Sequence, residues 1–193
     1  MSGLYQNILQ KFPYLTEDKL AEILEVSELI SLREGEVFIH AGEAGARVGF
    51  VLQGMMRNYI LTADGQQATV LIASEMETIA AYRELFLGTA ASETSAAIED
   101  TLLLAFDFHE LRSKAFADPM VMRVYIEMIE HTLVAAIERI EDFTQRKPVD
   151  RYRRLLDTQP SITGRAPLKY LASYLGITPV SLSRIRKRMS QGR

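Results

Sequence analysis

The stretch Ala166-Pro-Leu-Lys-Tyr-Leu-Ala-Ser-Tyr-Leu-Gly-Ile-Thr-Pro-Val-Ser-Leu-Ser-Arg-Ile-Arg-Lys-Arg-Met189 contains two short helical patterns around a tight turn. Leu168, Leu171, Ala172 and Leu175 form one apolar face of the first helix. Gly176 supplies the left-handed residue that ends it. Thr178 then serves as an N-cap, and Pro179 occupies the first helical position, where its missing N–H costs nothing. In the second helix Val180, Leu182, Ile185 and Met189 can face inward, leaving Ser181, Ser183, Arg184, Lys187 and Arg188 outward. This is the plan of a helix-turn-helix, whose second helix enters the DNA major groove. An ordinary helical hairpin with a solvated basic end would share the same pattern.

Charge favours the first reading. Residues 146–193 hold 12 Lys and Arg against 2 Asp and Glu, a net of +10, whereas residues 1–145 hold 10 against 23, a net of −13. The overall charge of −3 therefore hides an acidic body and a basic tail. Only the tail can neutralise phosphates, the term that dominates non-specific DNA affinity. Within it, Ser181, Arg184 and Lys187 are expected to face bases, and Arg151, Arg165, Lys169, Thr178 and Arg188 phosphates.

The remaining composition excludes several classes. With 193 residues, 48% of them hydrophobic, the chain can bury one fair-sized core and a small second one. No apolar run approaches the roughly 20 residues that span a bilayer, and the N-terminus lacks signal-peptide character. The expectation is a soluble, cytoplasmic protein without a membrane partner. The absence of cysteine excludes disulfides, thiolate zinc sites and cysteine-ligated iron–sulfur clusters. His40, His109 and His131 are far apart and lack metal-ligand spacing, and neither a P-loop nor GxGxxG occurs, so no metal, no cofactor and no enzyme activity follow from the residues.

Upstream, residues 4–25 read as helical. From Leu29 to about Phe108, short β-rich runs (36–39, 49–52, 57–61, 68–72 and 101–106) alternate with turn signals, which suggests an antiparallel barrel or sandwich. Asp64-Gly65 is the clearest hairpin turn, and 77–86 reads as a short helix. After Asp118-Pro119 a long helix runs to about Gln145. On it Met122, Ile126, Ile129, Leu133, Ala136, Ile140 and Phe143 recur with a seven-residue period, the seam of a parallel homodimer. A second apolar row (Val121, Val124, Tyr125, Met128, Ile137) can cover the barrel instead. Pro148 then breaks the helix, 149–156 restarts one, and 159–164 reads as a linker. The domain organisation expected is 1–118, 119–146 and 147–193, in an α+β chain.

This order of β-roll, long helix, hinge and helix-turn-helix resembles the catabolite-activator/fumarate-nitrate-regulator (Crp/Fnr) superfamily. Turn glycines Gly35, Gly42 and Gly54, the run Arg151-Tyr-Arg-Arg-Leu-Leu156 and the C-terminal motif are similar to its short Bacteroidetes-type members. The resemblance implies a cyclic-nucleotide-binding-like jelly roll, a dimer on a palindromic operator, contact with RNA polymerase and a small-molecule effector. Cyclic-nucleotide-binding members carry a Gly-Glu-Leu element and, further on, an Arg-Ser/Thr-Ala element. Here Glu93-Thr94-Ser95 aligns with the latter, so a carboxylate stands where a guanidinium would meet the phosphate. Arg83 and Glu84 are a slipped alternative, which makes Arg83, Glu84, Glu93 and Thr94 the candidate effector pocket, its nucleotide site degenerate. Pro179-Val180 replaces the Arg-Glu pair of many relatives, so an altered operator is expected, with Val180 against a thymine methyl and Arg184 on guanine. With the chain ending at Arg193 and no β-hairpin wing in view, backbone contacts are expected from Arg165, Lys169 and the 151–154 helix. The competing readings are a ligand-sensing module whose basic tail meets an acidic protein, and a scaffold that only dimerises.

Overall fold

A computed structural model describes residues 2–44 and 46–191. Two helices, α1 (Ser2–Lys11) and α2 (Glu17–Leu24), precede eight strands: β1 (Ser27–Leu32), β2 (Val37–Ile39), β3 (Arg47–Gln53), β4 (Met56–Leu61), β5 (Gln67–Ala73), β6 (Thr78–Ile79), β7 (Thr94–Ala97) and β8 (Thr101–Asp107). They form two four-stranded antiparallel sheets, ordered β1-β8-β3-β6 and β2-β7-β4-β5. The α+β expectation holds, and the strands close a roll. The β4–β5 hairpin turns at Asp64-Gly65 as expected. The helix expected over 77–86 is shorter: Thr78–Ile79 pair with β3, and α3 spans Tyr82–Leu87.

Strand alternation explains why β3 and β8 are buried on both sides. Val51 and Leu103, with Ala105 and Ile79 of the same sheet, pack between the sheets, with Met56 and Phe38 opposite. Phe50, Leu52, Leu104 and Phe106 point the other way, where Ile8, Phe12, Leu20 and Ile23 of the N-terminal helices cover them. Helix α4 (Phe108–Ala117), capped by the Asp107 carboxylate, leads into α5 (Pro119–Gln145). Asp118 caps α5 by accepting from the Met120 and Val121 N–H groups, and Pro119 takes its first position. One face of α5, with Val121, Val124, Tyr125 and Met128, joins the second core.

Pro148 opens α6 (Pro148–Thr158) and separates it from α5. The segment read as a linker is helical, α7 (Pro160–Arg165), because Pro160 sits at its first turn and Ile162 is fully buried. Helices α8 (Leu168–Tyr174) and α9 (Pro179–Gln191) complete the head. Its core of Tyr152, Leu155, Ile162, Leu171, Ala172, Leu175 and Leu182 is continuous with Met55, Ile72 and Ile98 of the roll.

Gly54 makes the β3–β4 connection at φ +95°, where a Cβ would lie 2.5 Å from the Asp100 carbonyl oxygen. Gly54→Ala therefore combines an unfavourable backbone with a backbone clash. Chemical denaturation should show a loss of about 2 kcal/mol or more. Gly65→Ala, at φ +75° with open space around it, should cost less, and equal losses at the two positions would contradict this account.

Candidate nucleic-acid interface

The helix-turn-helix follows its local chemistry. Gly176 adopts φ +67°, and a Cβ there would stand 2.6 Å from the Phe143 ring. The Thr178 hydroxyl accepts from the Ser181 N–H at 3.2 Å and donates to the Ser181 hydroxyl at 3.0 Å, which caps α9. Leu182 is fully buried, and Ile185 and Met189 pack on the same core. Val180, which the pattern allowed inward, is 60% exposed instead, because the first turn of α9 projects beyond the head core.

The exposed face of α9 presents Val180, Ser183, Arg184, Lys187 and Arg188. Among the described residues, none of these three cations pairs with a carboxylate; the head's ion pairs involve Arg146, Arg153, Arg154 and Arg165. Ser181 is half-buried and engaged in the cap, so its position is that of a structural hydroxyl at the edge of this face. Lys169 on α8 is exposed, lying over the Tyr170 ring at 4.5 Å.

Two expected phosphate contacts are placed differently. Arg151 is only 9% exposed, donating to the Asp142 and Arg146 carbonyls and lying 4.6 Å from the Phe143 ring centre. It is enclosed because α6 packs this side against the end of α5. Arg165 donates to the Gly54 carbonyl and bridges Glu75 at 2.9 Å and Glu99 at 2.8 Å, so the acidic roll takes the charge that was expected at DNA. Arg186, which the pattern did not single out, is also a packing residue: it donates to the Tyr152 hydroxyl at 3.0 Å and the Thr163 carbonyl at 3.1 Å. Its i, i+4 relation to Leu182 was the available signal.

Along the expected seam, Ile126, Leu133, Ile140 and Phe143 are 45–64% exposed. Val134 and Ile137 beside them are exposed too, Ala136 is exposed, and Met122 and Ile129 are half-buried. A single chain leaves this stripe uncovered.

In the roll, Glu84 lies beside Arg83 and acts on Glu93, while Thr94 is engaged elsewhere. Glu84 is 5% exposed and accepts from the Ser92 hydroxyl at 2.8 Å. Arg83 projects outward, its side chain 79% exposed, 3.5 Å from Glu84. The Thr94 hydroxyl accepts from the Ala41 N–H. Buried Asn58 accepts from the Ser95 hydroxyl and donates to the Ala80 carbonyl. Burial, with the charge of Glu84 adding to it and the Asn58 amide opposing, pushes Glu93 up to about 7. Glu84 and Glu93 thus act on each other as like charges, with the exposed Arg83 beside Glu84.

Residues 29–118 match the family model for the cyclic nucleotide-binding domain. The match spans the strands from within β1 to β8, so the β-roll is similar to that family's domain. No curated protein matches the sequence. Solved structures match over nearly the whole chain: FixK2 from Bradyrhizobium japonicum has a TM-score of 0.72 at 22% identity, covering 86% of each chain. A CooA variant from Carboxydothermus hydrogenoformans has 0.68 at 14% identity, covering 88% of this chain and 79% of the other. The catabolite activator protein of Thermus thermophilus has 0.55 at 17% identity, covering 92% and 85%. The fold that the Crp/Fnr resemblance implies is borne out by these likenesses, and the roll also by its match to the family model.

Because the Glu93 carboxyl in this Crp/Fnr-like roll holds its proton up to about 7 when folded, while an unfolded glutamate loses it near 4.5, unfolding releases a proton between those values. Stability should therefore fall as pH rises from 4.5 to 7. Glu93→Gln should remove that slope and be the more stable protein at pH 8, as read by urea denaturation across the pH range. Parallel pH profiles for the two proteins would contradict the assignment.

Proposed function

We propose that the chain is a Crp/Fnr-type transcription regulator, not an enzyme, that binds double-stranded DNA as a homodimer at a palindromic operator. The observation that carries this reading is the exposed cationic face of α9, unpaired among the described residues and presented by a helix-turn-helix in a tail of net +10. Arg184 and Lys187 are the base-facing candidates, with Ser181 at the edge. Lys169, Arg188 and Thr178 are the phosphate-facing candidates. Arg165 joins them only when DNA replaces Glu75 and Glu99, and Arg151 acts by holding the hinge. Recruitment or blocking of RNA polymerase follows from the family resemblance.

The uncovered stripe on α5 supports the dimer. Exposed apolar side chains at this spacing lose water only against another surface, and two half-sites on one operator require paired heads. The setting proposed is the cytoplasm; among the described residues, no helix is long and apolar enough to cross a membrane. For the roll, the reading supported is a sensor whose effector is not a cyclic nucleotide.

Binding to duplex DNA should weaken steeply and linearly in log salt, measured by fluorescence anisotropy, as phosphate neutralisation demands. A flat slope would point to an acidic protein partner. Arg184→Ala should cost about 1–3 kcal/mol on the preferred operator and relax one position in a randomised library. Leu133→Glu should shift the protein to monomer in analytical ultracentrifugation while leaving the melting of the roll intact. An unchanged sedimentation profile would remove the seam from α5.

A further inference from the structure

At the hinge, the end of α5, the start of α6 and the end of α8 enclose a cavity of about 180 Å³. Its charged walls are Glu138, Arg139, Asp142, Arg151 and Arg154, with Phe143 between them. The carboxylates are already matched: Asp142 pairs with Arg146 at 2.6 Å and Arg154 at 3.0 Å, and Glu138 with Arg154 at 2.7 Å. Arg139 and Arg151 are not matched in this way. Arg139 donates to the carbonyls of Tyr174 at 3.0 Å and Thr69 at 3.1 Å. Arg151 reaches two carbonyls, at 3.3 and 3.4 Å, and its buried Nε has no partner.

Both guanidinium groups lie against one ring, 4.9 and 4.6 Å from the centre of Phe143. Burial holds the Arg139 guanidinium below its ordinary pKa against the opposing pull of Tyr174 and Asp142, with a lesser contribution from the charge of Arg151. Two enclosed cations sharing an aromatic neighbour, hydrogen-bonded to carbonyls and with a spare N–H, form a costly arrangement. A carboxylate or phosphate matches the flat fork of an arginine, which offers parallel N–H donors.

We propose that this hinge cavity binds a small oxyanion, a short-chain carboxylate or inorganic phosphate, between Arg139 and Arg151. The enclosed volume is below the roughly 300 Å³ at which pockets for larger ligands begin, which suits a small anion. The site lies apart from Glu84 and Glu93 of the roll. Arg139 also ties α5 to β5 through Thr69 and to α8 through Tyr174. An anion drawing on Arg139 therefore acts on the joint between roll and head.

The test uses the full chain without DNA, so it is independent of the DNA-binding reading. Calorimetric titrations with phosphate and with succinate, each against sodium chloride at equal ionic strength, should give saturable binding of one anion per chain, the two arms identifying the preferred class. In wild-type protein, the Nε–Hε resonance of Arg151 should shift on titration. Arg151→Met should weaken binding about tenfold or more, the loss of a charge-assisted hydrogen bond. Arg151→Lys, which keeps the charge, should lose affinity while retaining the wild-type fold. Absence of saturable binding by either anion in wild-type protein, an unmoved Arg151 resonance, or full affinity in a folded Arg151→Met protein would overturn the proposal.

Discussion

The helix from Pro119 to Gln145 has to satisfy two surfaces with a single set of side chains. Val121, Tyr125 and Met128 are committed to the roll, while Leu133 and Ile140 stay in water when the chain is alone. Burial of a large aliphatic side chain stabilises by roughly 1.5–3 kcal/mol. A stripe of such residues is therefore a sizeable driving force towards association. The same rod sets where the heads are, because Pro148 interrupts it at one place only and the α5–α6 joint is pinned by ion pairs from Asp142 to Arg146 and Arg154.

The head is held against the roll by contacts of unequal weight. Met55, Ile72 and Ile98 supply apolar area to the head core. Arg57, itself buried, lies 3.7 Å from the centre of the Tyr170 ring, and the Ser173 hydroxyl accepts from the Thr69 N–H while donating to the Gln67 carbonyl. The pairs from Arg165 to Glu75 and Glu99 are partly solvated, and such pairs contribute about 0–1 kcal/mol each. The apolar contact therefore sets the affinity of the head for the roll, and the acidic body orients the basic head. Helix α8 is turned towards the roll and α9 away from it, which leaves the cationic face of α9 available.

Chemistry separates the two places where a small ligand could act. In the roll the charge of Glu84 adds to the burial that raises Glu93, a setting in which anions would meet like charge. The hinge brings two guanidinium groups together without carboxylate partners and so favours them.

Much was legible in the sequence because it depends on neighbours along the chain. The Thr178 cap, Pro179 and Gly176 specify a turn within a few residues, and Asp118-Pro119 and Pro148 mark both ends of the long helix. The roll was read from alternation, yet β6 was hidden in an expected helix because a two-residue strand has no periodicity. The segment 159–164 was read as a linker from its turn-forming residues, and burial of Ile162 overrode that preference. In the candidate pocket the carboxylates were visible, but the raised pKa of Glu93 was not, since it arises from enclosure.

By itself the sequence determined the order of elements, the polarity of charge and the helix-turn-helix, all set by local steric rules and composition. Only the tertiary structure decided which arginines are available. Arg151, Arg165 and Arg186 look equivalent to Arg184 as residues in a basic tail. Arg165 meets a carboxylate 90 positions away, and Arg186 a hydroxyl 34 positions away. A charge becomes structural or functional according to what the fold brings beside it, and that proximity is not encoded in any short stretch of chain.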